Sequence, residues 1–254
     1  MKINPVILMI FAVVISSCSP AETAPTSTSE STAIPTIIQT NTAIPSPTPT
    51  LVVTVELVQS ITAGPDPLRL PSALAFDEQG NFYVVDSYNQ RVVKFDPVGK
   101  FLTAWGSEGA GEGQFDFMDG HDGYGGLAVD PEGNVYVMDT MNYRIQKFTS
   151  DGRFLLQWGS KGTEDAQFLM PEGVLVDAQG KLYIGDGGRT DIQKFDSTGK
   201  FLFKWGGKGT GDGQFDNLSY LAIDGDGNIY VADTYNDSGG GGKDVVETWR
   251  AAFQ

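Results

Sequence analysis

A five-residue segment returns four times in this chain, and that recurrence limits the fold more than any other feature. Phe82-Tyr83-Val84-Val85-Asp86 reappears as Val135-Tyr136-Val137-Met138-Asp139, as Leu182-Tyr183-Ile184-Gly185-Asp186 and as Ile229-Tyr230-Val231-Ala232-Asp233. The aspartates stand 53, 47 and 47 residues apart. Trp105-Gly106, Trp158-Gly159 and Trp205-Gly206 keep the same spacing, as do Gly113-Gln114-Phe115, Ala166-Gln167-Phe168 and Gly213-Gln214-Phe215. A period of this size marks a blade or solenoid unit that buries its apolar face only against its neighbour.

Within the first unit, four short β-rich runs at 73–76, 81–85, 91–95 and 101–105 alternate with turn residues, the content of a four-stranded antiparallel sheet. We label them a to d. Asp77-Glu78-Gln79-Gly80-Asn81 joins a to b and Asp96-Pro97-Val98-Gly99-Lys100 joins c to d, each with glycine where a tight turn needs positive φ. Antiparallel order puts the b–c turns and the d-to-a crossings at one end of every unit. That end holds Tyr88, Asn89, Tyr143 and Tyr235, and the six-residue excess of the second unit, which falls within residues 116–124 and includes His121, Asp122 and Tyr124. Loops at one end of a rigid scaffold are where binding residues gather.

These residues carry a family resemblance. The Val-Tyr-Val-x-Asp strands, the Asn89-to-Arg91 and Asn142-to-Arg144 turns, the Gln146-Lys147-Phe148 and Gln193-Lys194-Phe195 strands and the Trp-Gly endings resemble NHL repeats over residues 68–236. The resemblance implies an all-β fold, a β-propeller of four-stranded blades. Family propellers are six-bladed and bind proteins, RNA or small molecules, and a few related six-bladed folds are lyases or lactonases.

Asp86 with Arg91 and Asp139 with Arg144 flank the b–c turn and are expected to pair as struts. In the third unit Asp191 takes the arginine position and Arg189 moves into the turn, which predicts a freer guanidinium able to meet a ligand; in the fourth unit the position is Ser238. Tyr88, Asn89, His121, Asp122, Tyr124, Tyr143, Arg189 and Tyr235 are thus the candidate ligand-binding residues of this face. His121 among Asp116, Asp119 and Asp122 reads as a solvated acidic loop rather than a metal corner, since ligands confined to one loop seldom satisfy a metal's geometry. Asp224-x-Asp226-x-Asn228 lacks the glycine and glutamate of an EF-hand, with Ile229 and Tyr235 in their places. Where the innermost strands enter the channel, the repeat places Ser72, Gly125, Glu172 and Ser219. One carboxylate and no histidine make a poor metal ring, so we expect no metal, no cofactor and no catalytic residue.

Composition changes sharply before the repeats. Met1-Lys2, the apolar run 5–15 and Ile15-Ser16-Ser17-Cys18 resemble a bacterial lipoprotein signal, with residues 1–17 as leader and Cys18 as the lipidated residue. Residues 19–50 carry fourteen Ser/Thr and six Pro with no Lys or Arg, too little apolar surface to fold. We read 18–50 as a stalk of up to roughly 100 Å, at about 3.1 Å per residue. The expected location is extracytoplasmic, on a membrane surface that the lipid anchor alone contacts. A net charge of −15 argues against nucleic acid as partner.

Residues 51–236 hold about three and a half units, short of the four blades a closed ring requires. Past Asn236 the expected Arg-x-x-Lys-Phe strand gives way to Asp237-Ser238 and four glycines, so 237–254 read as an atypical tail. The first expectation is a chain cut short or frame-shifted relative to a longer one; a blade array completed by another chain and a genuine short form are the alternatives. Val245, Val246, Trp249 and Phe253 have helical spacing and suit a terminal cap, while 52–61 read as a strand preceding the first unit. Unpaired blade edges predict self-association. The leading functional expectation is a surface-tethered binding module for a protein, glycan or small molecule. A metal-dependent lactonase or lyase around Glu172 and an incomplete copy without activity stand beside it.

Overall fold

The computed structural model describes residues 64, 66–120 and 122–233, and the backbone of a last strand, Val245–Arg250. The leader, Cys18, the stalk, the strand expected at 52–61, His121 and Tyr235 lie outside the described residues. The first blade is β1 (Pro71–Phe76), β2 (Phe82–Asp86), β3 (Arg91–Phe95) and β4 (Phe101–Trp105), side by side in that order and antiparallel throughout. A short ribbon follows, β5 (Met118–Asp119) with β6 (Asp122–Gly123), where the second unit carries its extra residues. The second blade is β7 (Gly126–Val129), β8 (Val135–Asp139), β9 (Arg144–Phe148) and β10 (Phe154–Trp158). The third is β11 (Pro171–Val176), β12 (Leu182–Asp186), β13 (Asp191–Phe195) and β14 (Phe201–Gly206).

The fourth blade corrects one expectation. It contains β15 (Leu218–Ile223), β16 (Asn228–Asp233) and β17 (Val245–Arg250), and β17 pairs antiparallel with β16 from Asp233 opposite Val245 to Asn228 opposite Arg250. The segment given a helical cap is therefore a strand. Val245, Val246 and Thr248 are β-branched, and β16 without β17 would leave a row of backbone donors and acceptors open. Ladder pairing prevails over the spacing of four apolar residues, and the blade recovers its third strand beyond the glycines.

Each a–b hairpin closes on an aspartate that accepts a tyrosine hydroxyl. Asp77 Oδ1 accepts from the N–H of Gln79 (3.1 Å) and Asn81 (2.9 Å), and Oδ2 accepts from Asn81 Nδ2 (2.8 Å) and the Tyr83 hydroxyl (3.2 Å). Gly80 completes the turn at φ +80°. Asp130, Asp177 and Asp224 take the corresponding tyrosines, Tyr136 (3.0 Å), Tyr183 (3.0 Å) and Tyr230 (2.9 Å).

The cores lie between blades. Tyr83, Val85, Val92, Phe115 and Phe117 meet Leu127, Val135, Val137 and Phe148 between the first and second blades. Tyr136, Met138 and Ile145 meet Leu182, Ile184 and Phe195 between the second and third. Tyr183 and Ile192 meet Ile229 and Val231 between the third and fourth. Lysines stitch the outer parts: Lys94 Nζ donates to the Ser150 carbonyl (3.1 Å) of the next blade, and Lys147 Nζ to that of Ser197 (3.2 Å). The innermost strands β1, β7, β11 and β15 stand beside one another in that order, and among the described residues no sheet closes on itself or joins another.

Candidate functional site

The end of the blades that carries the b–c turns is organised around one aspartate per blade. Asp86, Asp139 and Asp186 are fully buried at the ends of β2, β8 and β12, and Asp233 nearly so at the end of β16. Asp139 Oδ1 accepts the N–H of Asp116 (2.7 Å), and Oδ2 accepts Arg144 Nε (2.7 Å) and Gln146 Nε2 (3.1 Å). The remaining Arg144 nitrogens donate to the carbonyls of Ala110 (2.7 Å), Gly111 (2.8 Å) and Gln114 (2.9 Å). The ion pair therefore latches the incoming d-to-a crossing onto the b–c turn. Burial pushes the Asp139 carboxyl above its usual range, and the hydrogen bonds from Asp116, Arg144 and Asn142 pull it back. In the first blade Asp86 accepts from Arg91 Nε (2.8 Å), Asn89 Nδ2 (2.8 Å) and the N–H of Arg69 (2.7 Å).

Arg189 differs from expectation. Its guanidinium is not free: it pairs with Asp191 at 2.8 Å, donates to the carbonyls of Glu164 (2.7 Å) and Gln167 (3.0 Å), and its side chain is 4% exposed. Gln167 occupies the repeat position of Gln114, whose carbonyl Arg144 holds. The third blade thus brings a guanidinium to the same crossing from two residues earlier, with Asp191 as its counter-ion. Asp186, left without it, accepts the N–H groups of Leu169 (2.7 Å), Met170 (2.9 Å) and Arg189 (3.1 Å).

At the centre of this end the four channel positions read from the repeat converge. Ser72, Gly125, Glu172 and Ser219 line one cavity of about 260 Å³, together with Tyr124 and Tyr220. A local break in register explains the convergence. In β1, β11 and β15 the ladder skips a residue, passing from Pro71 to Ala73, Pro171 to Gly173 and Leu218 to Tyr220. Ser72, Glu172 and Ser219 are the skipped residues. A bulged residue is released from the sheet's in-and-out alternation, and its side chain is re-aimed.

Ser72 Oγ donates to the Gly125 carbonyl (2.7 Å) and accepts from Ser87 Oγ (2.7 Å). Gly125 itself must be small, since a Cβ there would lie 2.5 Å from Val85 Cγ1. Tyr124 reaches the cavity because the β5–β6 ribbon returns onto the crossing, where its N–H donates to the Phe117 carbonyl (2.7 Å). Asp122 above all, then burial and the charges of Asp119 and Glu172, push the Tyr124 phenol up. Glu172 is half-buried, and burial followed by the Asp186 charge raises its carboxyl above the ordinary carboxylate range.

The other predicted residues are spread over the face. Tyr88 is exposed, with the Arg69 guanidinium 3.5 Å over its ring. Asn89 belongs to the latch, Asp122 is exposed on the ribbon, and Tyr143 holds the left-handed position after its turn (φ +56°) beneath Lys161. Of the eight, the structure puts Tyr124 in the cavity, and His121 and Tyr235 are outside the described residues. Tyr220 lines the cavity without having been singled out, although a large ring where the other units have Ala73, Gly126 and Gly173 was a visible signal. Among the described residues no three His, Cys, Asp or Glu side chains come together as a metal site.

Residues 68–95 and 125–148, in the first two units, match the NHL repeat family. Peptidylglycine alpha-amidating monooxygenase of Rattus norvegicus is 33% identical over 128 residues, covering 47% of this chain and 12% of that protein. Protein brain tumor of Drosophila melanogaster is 40% identical over 70 residues, covering 28% of this chain and 6% of that protein. The chain thus spans a small part of either relative. A solved structure of a Bacteroides thetaiotaomicron structural genomics protein aligns with a TM-score of 0.51 at 23% identity, over 63% of this chain and 44% of that one. This likeness concerns the fold, a β-propeller arrangement of blades.

Proposed function

We propose that the blades form a binding module held outside the cell membrane by a lipid on Cys18, with its ligand seated in the channel-mouth cavity. The observation that carries this reading is the bulge repeated in three inner strands. It turns one residue from each of three separate blades into one cavity, beside Tyr124 from the ribbon. Concave sites lined by small and aromatic residues with a few convergent polar groups are what ligands occupy on such scaffolds. The small-residue run before Cys18 and the Ser/Thr/Pro stretch after it support the tether.

A thermal-shift screen of the chain against libraries of glycans, peptides and small metabolites tests the cavity. Hits whose shift is lost in Tyr124→Ala and Ser219→Leu are expected. Hits indifferent to both replacements would place the ligand elsewhere and end this reading. Mass measurement of the membrane-extracted protein tests the tether, which fails if Cys18 carries no acyl group.

One observation favours a second reading, an enzyme of lactonase or lyase type. Glu172 is a carboxyl with a raised pKa inside a cavity, the usual condition of a proton-transferring group. Elemental analysis of the purified protein and turnover of lactone substrates lost in Glu172→Gln would carry that reading over the first.

A further inference from the structure

We infer that the channel-mouth cavity takes an organic monocation, an ammonium or guanidinium group on a small body, with Glu172 as its counter-ion. The inference rests on reading the cavity as the binding site and adds the chemistry of what fills it.

Glu172 stands apart from the aspartates around it. Asp139 is met by a guanidinium, Asp86 by a guanidinium and an amide, Asp186 by three backbone N–H groups and Asp233 by two. Glu172 is half-buried, yet no described residue donates a hydrogen bond to it or pairs with it. Its carboxyl packs over Gly187, where a Cβ would lie 3.2 Å from Cδ and Oε1, so glycine at 187 gives it room to stand at the mouth. A carboxylate withdrawn from water without a partner is costly, and a cation brought by a ligand supplies the missing one.

The rest of the cavity selects the sign and size of that ligand. Among the described residues, Glu172 is the one charged side chain lining it, with no lysine or arginine beside it. The charges of Asp119, Asp122 and Glu172 all act on the Tyr124 phenol, and Asp186 acts on Glu172, so the local field is negative. A phosphate or carboxylate ligand would enter against that field. A divalent metal needs several oxygen ligands in fixed geometry, and the lining offers one carboxylate. A volume of about 260 Å³ far exceeds a lone ion and leaves room for carbon. Tyr124 and the largely exposed Tyr220 are among the lining residues, and aromatic side chains attract organic cations.

The positive group can come from a free amine or from a lysine or arginine of a protein partner. Saturation-transfer NMR on the full chain decides between the sources and tests the inference, using n-butylammonium, n-butylguanidinium, n-butanol and butyrate at equal concentration, and a short peptide with one lysine. Both cations are expected to bind at least tenfold more tightly than butanol or butyrate, with the difference abolished in Glu172→Gln and reduced by added salt. A peptide tighter than n-butylammonium assigns a protein partner; the reverse assigns a free amine. Leu102→Gln, on the exposed outer strand β4 and outside the cavity lining, controls for folding and retains the preference for cations. Equal binding of butanol and the cations, no binding of any probe, or cation binding untouched by Glu172→Gln overturns the inference. Neutral or anionic library hits that depend on Tyr124 and Ser219 would overturn it while leaving the cavity as the binding site.

Discussion

The two ends of the blades are built on different rules. At the end of the a–b turns, Asp77, Asp130, Asp177 and Asp224 each accept the hydroxyl of a tyrosine six residues on. In the fourth copy the Asn228 side chain and N–H hold Asp224 down at about 2. At the opposite end the aspartate is constant, but its surroundings change from blade to blade: Arg91 and Arg144 in two, Arg189 with Asp191 in the third, a ribbon before the second, a lone Glu172 beside the third. Closing a hairpin is needed in every copy, so its residues repeat. Shaping a cavity is done once by all copies together, so there the copies diverge.

The comparison breaks most visibly at the latch. Asp139→Ala strands the Arg144 guanidinium, whose side chain is 8% exposed, and should cost about 3–5 kcal/mol in urea unfolding. An effect no greater than that of a surface substitution would show that the latch carries no stability. At the cavity, Gly125→Ala presses a methyl to within 2.5 Å of Val85 and is expected to cost about 1–3 kcal/mol. At the repeated end, Tyr136→Phe removes one donor from Asp130 and should cost about 1 kcal/mol, with an equal effect from Tyr83→Phe. Unequal effects would deny that this end is the same in each copy.

The smallest change has the opposite sign. Glu172 has its folded pKa raised, so the folded chain binds the proton more tightly than the unfolded one. That group therefore lowers stability as pH rises through its folded pKa, and its effect vanishes below the unfolded value of about 4.3. Glu172→Gln is expected to raise the free energy of urea unfolding at pH 7 by under about 1 kcal/mol, and the midpoint with it, given solvent screening of a half-exposed group. The gain should shrink as pH falls toward 4. A midpoint lowered at pH 7 would mean that Glu172 is a structural residue rather than one held ready for a ligand.

Much of this was legible because a sheet is a local object. The expected runs at 91–95 and 101–105 coincide with β3 and β4, and those at 73–76 and 81–85 meet β1 and β2 within two residues. Repeat spacing aligned Ser72, Gly125, Glu172 and Ser219 at the channel position that the propeller resemblance implies, and they share one cavity. What spacing could not supply is side-chain reach. Arg189 sits two residues from the position of Arg144 yet serves the same crossing, because a long arginine absorbs a two-residue shift that a backbone ladder does not. The β5–β6 ribbon likewise carries Tyr124 to the cavity by a path with no counterpart in the other units. The pairing of β17 with β16 depends on an open strand edge that no local pattern encodes.

Each strand at the channel mouth belongs to a different sheet, and packed side chains fill the space between one sheet and the next. The mouth is therefore an aperture whose width depends on the pitch between blades. Phe148, wedged between the first and second blades, lies outside the cavity lining but helps to set that pitch. Affinity at the mouth becomes a gauge of how tightly the blades are stacked, and trimming the wedge between two of them should detune it with no lining residue altered.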